Sequence, residues 1–237
     1  MISVIVLSWQ DAEYAARCIE SVKQYTETEH VVTLIDNGSD ARNRDILRGI
    51  ANVDFYHREP VNTGLPKGYN IGIEQAMTSK DVTAVCLLNA DTEIRTQGWL
   101  GNMLAVFNHK PDAGMVAATT NKIANRVQNW KRYGNKLPLE IMQAPWVGLG
   151  MTMIPVEIIR KVGMLDENMT PGAGVDCEYS LRLFVNGYKC YVDGHTFVWH
   201  KGKVAFDQMA VPYKTYQKAH IAYIKKKYPA SWRMALK

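Results

Sequence analysis

The sequence predicts an α/β fold on a mostly parallel sheet flanked by helices. Short, continuously apolar runs alternate with helical stretches, the pattern of strands buried on both faces. The composition, 47% hydrophobic and 22% charged, suits a chain with a sizeable core and excludes a disordered or fibrous one. No apolar run approaches the ~18 residues that a membrane-spanning helix needs. At 237 residues the chain suits one domain with an appendage.

Strands are expected at residues 3–7, 31–35, 53–56, 82–88 and 114–117, and helices at 12–25, 41–50, 66–76 and 96–108. This order predicts right-handed crossovers, with ligands at the carboxyl ends of the strands. From 119 to 145 the pattern dissolves into polar and basic residues, including Lys122, Arg126, Lys131, Arg132 and Lys136. Structureless segments of that length are usually functional, and a lid is expected here. Order resumes at 146–154, with helices near 155–162 and 176–186, strands at 189–192 and 196–199, and a basic helix over 211–228.

The opening run 1–7 has no basic n-region and no small-residue cleavage site, so it reads as a buried strand rather than a signal peptide. Cys18, Cys86, Cys177 and Cys190 form no CxxC pair, which points to reduced thiols and a cytoplasmic protein. The net charge of +5 is uneven: residues 201–237 hold nine basic residues and one acid, Asp207, while the first 200 residues sum to −3. Such a tail meets phosphate, an anionic membrane face or nucleic acid, or is simply a solvated helix surface.

Chemistry is expected at strand ends. Asn89-Ala90-Asp91 ends the fourth run, and oxygen donors at that spacing suit Mg²⁺ or Mn²⁺. A plain Asx turn explains the same residues. Asp36-Asn37-Gly38-Ser39 closes the second run, where Asp36 could bond a nucleoside. Trp9, at the end of the first run, could stack on a base or simply belong to the core.

The series resembles family 2 glycosyltransferases of the GT-A fold. It runs through Ser3–Trp9, Leu34–Ser39, Asn62-Thr63-Gly64-Leu65-Pro66-Lys67-Gly68-Tyr69-Asn70-Ile71-Gly72 and Leu87–Ile94. It continues through Gly150–Pro155, Val162–Glu167, Asp176–Leu183, Gly187-Tyr188-Lys189 and His200. Each motif is weak alone; their order over about residues 2–203 is specific, with a flavour of the rhamnosyl- and galactofuranosyltransferase-like branch.

The resemblance implies a nucleotide-sugar donor (UDP- or dTDP-linked), a Mn²⁺ or Mg²⁺ ion and inverting transfer to a hydroxyl. Asn89-Ala90-Asp91 stands for the family's DxD motif, with Asp91 as metal ligand and Asn89, an uncharged departure, near the ribose. Ser8 and Trp9 match the base-contacting pair, and Asp36 the nucleoside-binding acid. Lys67 is placed to reach the nucleotide or its phosphates, although the stretch around it also reads as a helix start at Pro66. His200 matches the late histidine at the metal or leaving diphosphate. Asp176 matches the catalytic base, its usual acidic neighbour being Val175; it also reads as a helix N-cap, and Glu178 is the second candidate base.

The implied organisation is a transferase domain over 1–203 (nucleotide half 1–118, lid 119–145, acceptor half 146–203) and a basic helical extension over 204–237. A saccharide or lipid-linked acceptor is favoured, and the basic tail suits an anionic membrane face. The tail's Lys203, Lys214, Lys218, Lys225, Lys226, Lys227 and Arg233 lie among Tyr213, Tyr216, Tyr223, Tyr228 and Trp232, which also suits a nucleic-acid (modified-base) acceptor, and a protein acceptor is the other alternative. A nucleotide-sugar-binding module without activity is a further alternative.

Overall fold

A computed structural model describes residues 1–202 and 213–234. Strands β1 (Ile2–Ser8), β2 (His30–Asp36), β3 (Phe55–Arg58) and β4 (Ala84–Asn89) pair in parallel, in the order β3-β2-β1-β4. Helices α1 (Ala12–Tyr25), α2 (Ala41–Arg48) and α3 (Leu65–Met77) are the crossovers. The apolar run of β1 is continuous because both its faces are covered. Ile5 packs into the core under α3, while Val4 and Val6 pack into the core under α1. The buried residues of α1 include Ala12, Ala15, Ile19 and Val22, the spacing of one helix face.

The second half of the sheet departs from the expected parallel pattern. Its elements are β5 (Thr92–Ile94), α4 (Trp99–His109), β6 (Ala113–Thr120), β7 (Ile141–Ala144) and β8 (Met151–Pro155). They are followed by α5 (Val156–Val162), α6 (Val175–Val185), β9 (Lys189–His200) and α7 (Tyr213–Lys227). Strand β8 enters antiparallel between β4 and β6, and β9 pairs in parallel with β6 and antiparallel with β5 and β7. The two late strands expected at 189–192 and 196–199 are one strand whose register with β6 shifts between Ala118 and Thr119.

The expected lid at 119–145 carries more order than its composition suggested. It contains a 3-10 turn at Trp130–Tyr133 and the strand β7 on β9. Buried Asn125 accepts the N–H groups of Val127 and Gln128 and donates to the Trp146 carbonyl. This polar staple, invisible to hydrophobic patterning, organises the segment from inside.

A helix over Tyr213–Lys227 occupies the described part of the stretch where a basic helix is expected. Residues 211 and 212, and Lys203 and Asp207, lie outside the described residues. Helix α7 turns an inner face onto the body: Ile224 is buried, and Tyr223, Tyr228 and Trp232 pack against the core under α6. Lys218, Lys225, Lys226 and Arg233 face outward. No described helix is long and apolar enough to cross a membrane. All four cysteines are free thiols.

Helix α3 lies so close to β1 that a Cβ on Gly72 would sit 2.5 Å from Ile5 Cγ2. Gly72→Ala improves helix propensity yet should destabilise the fold by about 1–3 kcal/mol through overpacking. Urea unfolding measures this; an unchanged or raised midpoint would show that α3 and β1 separate freely.

Candidate active site

Sheet register sets out the site. Ser8 pairs with Asp36 and Leu7 with Asn89, so the polar residues that end β1, β2 and β4 emerge along one edge. Thr92 of β5 pairs with His200 of β9, which brings the residue before Thr92 against the end of β9.

That residue is Asp91. Its carbonyl accepts the Lys201 N–H at 3.0 Å and its Oδ2 accepts the Gly202 N–H at 2.9 Å. Its Oδ1 lies 3.3 Å from His200 Nε2. The other nitrogen of His200, Nδ1, bonds the Lys122 carbonyl at 2.9 Å, and Asn121 brackets the His200 main chain through both amide atoms. Burial would lower the His200 pKa, but the bond and charge of Asp91, with the Lys122 carbonyl, raise it above its ordinary value. The Asp91 carboxylate therefore favours the protonated form of the imidazole. The Lys122 ammonium caps the Lys201 carbonyl at 2.7 Å.

Ser8 and Trp9 both turn to Asp11, which sequence reasoning missed because an acid before a helix reads as its cap. Asp11 makes no side-chain cap bond; it accepts the Ser8 hydroxyl and, at 3.0 Å, the Trp9 N–H. Burial, and to a lesser degree the charge of Asp91, push its carboxyl up to about 7 against the bonds from Ser8 and Trp9. Asn89 is held by the Tyr69 hydroxyl at 2.8 Å and lies against Gly150, where a Cβ would come within 2.3 Å of its amide nitrogen. Asn89 is thus turned to α3 and β8, and its place in the motif is as much packing as chemistry.

Asp36 is wholly buried. Its oxygens receive the Ser39 N–H at 2.9 Å, the Tyr56 hydroxyl at 3.1 Å and the Arg58 guanidinium at 3.3 Å. Lys67 is exposed on the first turn of α3. The Leu65 N–H at the start of that helix donates to the Pro171 carbonyl, so α3 touches the segment leading into α6.

Asp176 stands on that segment, half-buried in the first turn of α6. The N-cap is Gly174, so the expected cap role for Asp176 does not hold; its Oδ1 accepts the adjacent Cys177 N–H at 2.9 Å. Desolvation pushes the Asp176 carboxyl up to about 6, against its backbone bonds. Glu178 is not a second candidate base. It is fully buried and receives Arg182, Lys227 and the Tyr228 hydroxyl. Among the described residues no group of three or more His, Cys, Asp and Glu is gathered as a metal cage.

Residues 3–167 match the profile of glycosyl transferase family 2. The chain belongs to that family. No curated protein sequence matches the chain. Among solved structures, GalNAc-T7 with UDP, GalNAc and Mn²⁺ is similar at 16% identity and a TM-score of 0.65. The match covers 84% of this chain and 43% of that one, so this family member spans less than half of that protein. The mannosyltransferase PcManGT from Pyrobaculum calidifontis, with GDP-Man and Mn²⁺, is 14% identical with a TM-score of 0.66, covering 99% and 72%. Residues 1–349 of S. aureus TarS are 11% identical with a TM-score of 0.63, covering 97% and 72%. At these identities the likeness shows the fold: a mixed sheet flanked by helices, shared with GT-A glycosyltransferases.

The raised pKa of His200 gives a signed expectation. Its pairing with Asp91 contributes stability fully below the ordinary imidazole pKa of about 6.5 and loses it as pH rises through the raised value. His200→Gln should therefore cost more stability at about pH 6 than at about pH 9. Urea unfolding at both values measures it, and equal costs would show that the imidazole is neutral in the folded protein.

Proposed function

We propose that this family 2 glycosyltransferase uses Mn²⁺ or Mg²⁺ to move a sugar, with inversion, from a nucleoside-diphosphate sugar to an acceptor hydroxyl. The observation that most supports this is the contact of Asp91 with His200 at the carboxyl edge of the sheet. A carboxylate oxygen and an imidazole nitrogen facing each other are donors such ions accept, with further oxygens from the diphosphate. The His200 Nδ1–H is already given to a backbone carbonyl, the support a ligating histidine normally has. The residues fit: Asp91 and His200 would hold the ion. When bound, it supplies positive charge against that developing on the leaving diphosphate.

The remaining roles fall to the chain itself. Ser8 and Trp9, fixed by Asp11, face the base, and Asp36 with its Tyr56 and Arg58 partners shapes the nucleoside end. Asn89, held by the Tyr69 hydroxyl, is assigned to the ribose by the motif alone. Lys67, exposed on the first turn of α3, is the cation for the phosphates. Asp176 accepts the proton of the attacking hydroxyl; a carboxyl raised to about 6 is a base poised near neutrality. The branch resemblance favours a UDP- or dTDP-sugar.

The acceptor is read as a glycan or a lipid-linked saccharide. The outward cations Lys218, Lys225, Lys226 and Arg233 support an anionic membrane face beside the site. Lys227, Tyr223 and Tyr228 are committed to the fold and contribute nothing to such a surface. Nucleic acid would use the same four cations, and salt-dependent retention on anionic vesicles against DNA separates the two.

The test is a panel of UDP-, dTDP- and GDP-sugars with Mn²⁺, read as thermal stabilisation and as release of nucleoside diphosphate. A ligand at about 100 times its Kd should stabilise by roughly 2.7 kcal/mol. No stabilisation by any donor overturns the transferase reading. Binding without release returns the chain to a non-catalytic module.

Asp91→Ala should abolish the Mn²⁺-dependent part of nucleoside-diphosphate binding, measured by calorimetry with and without the ion. Retained metal dependence would place the ion elsewhere. Asp176→Asn should lower turnover by roughly 10²–10⁴ and leave donor affinity unchanged. Because the ionised carboxylate is desolvated, its melting temperature at about pH 8 should hold or rise. Near-normal turnover would remove Asp176 from the base role.

A further inference from the structure

The segment that carries Asp176 is fastened at three points by α7. Lys227 Nζ reaches Asp166 at 2.5 Å, ahead of the segment, and Glu178 at 3.0 Å, just beyond Asp176. His220, buried, gives its Nδ1–H to the Ala173 carbonyl, three residues before Asp176. Tyr223 bonds Asp166 and Tyr228 bonds Glu178, at 2.8 and 2.7 Å.

The attachments are stronger than a surface helix requires. Glu178 is fully buried, where an unpaired carboxylate is prohibitive, and Arg182 together with Lys227 neutralises it. Arg182 also donates to the carbonyls of Val162 and Met164, so the pair ties α6 to the end of α5. Desolvation would raise the Asp166 carboxyl, yet the bonds from Lys227, Tyr223 and Asn168 hold it well below the usual carboxylate range. On its other side the segment meets α3, where the Pro171 carbonyl accepts the Leu65 N–H. Residues 166–178 are thus held between the start of α3 and the inner face of α7.

Asp176 lies inside this clamp with no ion pair of its own among the described residues. A carboxylate meant to take a proton gains from that: a cation would hold it ionised and weaken it as a base. Its position must then come from the backbone that carries it. We propose that Lys227, through Asp166 and Glu178, is a positioning residue for Asp176, and that α7 acts in turnover by aiming that carboxylate rather than by touching substrate. This rests on the reading of Asp176 as the base.

The test is a double-mutant cycle on the full chain, with the best-binding nucleotide-sugar of the panel above, Mn²⁺ and water as acceptor. Nucleoside-diphosphate release gives kcat and KM, and calorimetry gives donor affinity. Lys227→Met should lower kcat on the order of ten- to a hundredfold, the range for slight misplacement of a reacting group, with donor Kd unchanged. Lys227→Arg, which keeps a cation for both carboxylates, should recover most of it. In an Asp176→Asn background Lys227→Met should add no further loss, since it acts through a group no longer present.

Normal kcat in Lys227→Met, or losses that multiply in the double variant, overturn the positioning role even if Asp176 is the base. Undiminished release by Asp176→Asn, or no release by the native chain, overturns the base reading itself. Should Lys227→Met fail to bind donor, Tyr228→Phe removes one bond to Glu178 and keeps the ion pair. A several-fold loss of kcat at unchanged Kd is then expected, and no loss overturns the role.

Discussion

The site depends on the burial of β1 on both faces. A strand covered by α1 on one side and α3 on the other admits apolar residues until it leaves the core, so the first polar side chains cluster at its end. Because β2 and β4 pair with β1 in parallel, their runs end at the same edge. Ser8, Asp36 and Asn89 are neighbours because their strands stop being hydrophobic together. A one-residue slip of β4 would turn Asn89 toward α1 and separate it from Tyr69.

The first half of the molecule was legible for the same reason. Continuous apolar runs and an i, i+3, i+4 helix face are local signals, and the expected 12–25 helix is the observed α1. The second half was less legible because its organisation is long-range. Strand β7 is four residues of ordinary composition that become a strand through β9. The antiparallel entry of β8 leaves no mark in a short apolar run, which reads the same in either direction.

Residue types at the site were easier to read than their partners. Asp91 and His200 followed from motif order, but the Lys122 carbonyl that fixes the imidazole sits in a segment where only cationic side chains drew notice. Asp11 was hidden by a rule that is usually right, since acids before helices normally cap them. Asp176 and Glu178, two residues apart, stood as first and second candidates for the base. Among the described residues the first is half-buried without a counter-ion, while the second is enclosed by Arg182 of its own helix and by Lys227 and Tyr228.

The Glu178 contact also imposes an order on folding during synthesis. Lys227 follows Glu178 by 49 residues, so α6 is synthesised well before its partner. In that interval Arg182 already pairs with the Glu178 carboxylate, while Asp166 lacks the cation that Lys227 later brings. The Asp166 carboxylate is therefore better left hydrated until α7 arrives. The parallel half of the sheet, complete by Asn89, has no such dependence. A chaperone meeting this protein on the ribosome would find a finished parallel half attached to a mixed half still waiting for α7.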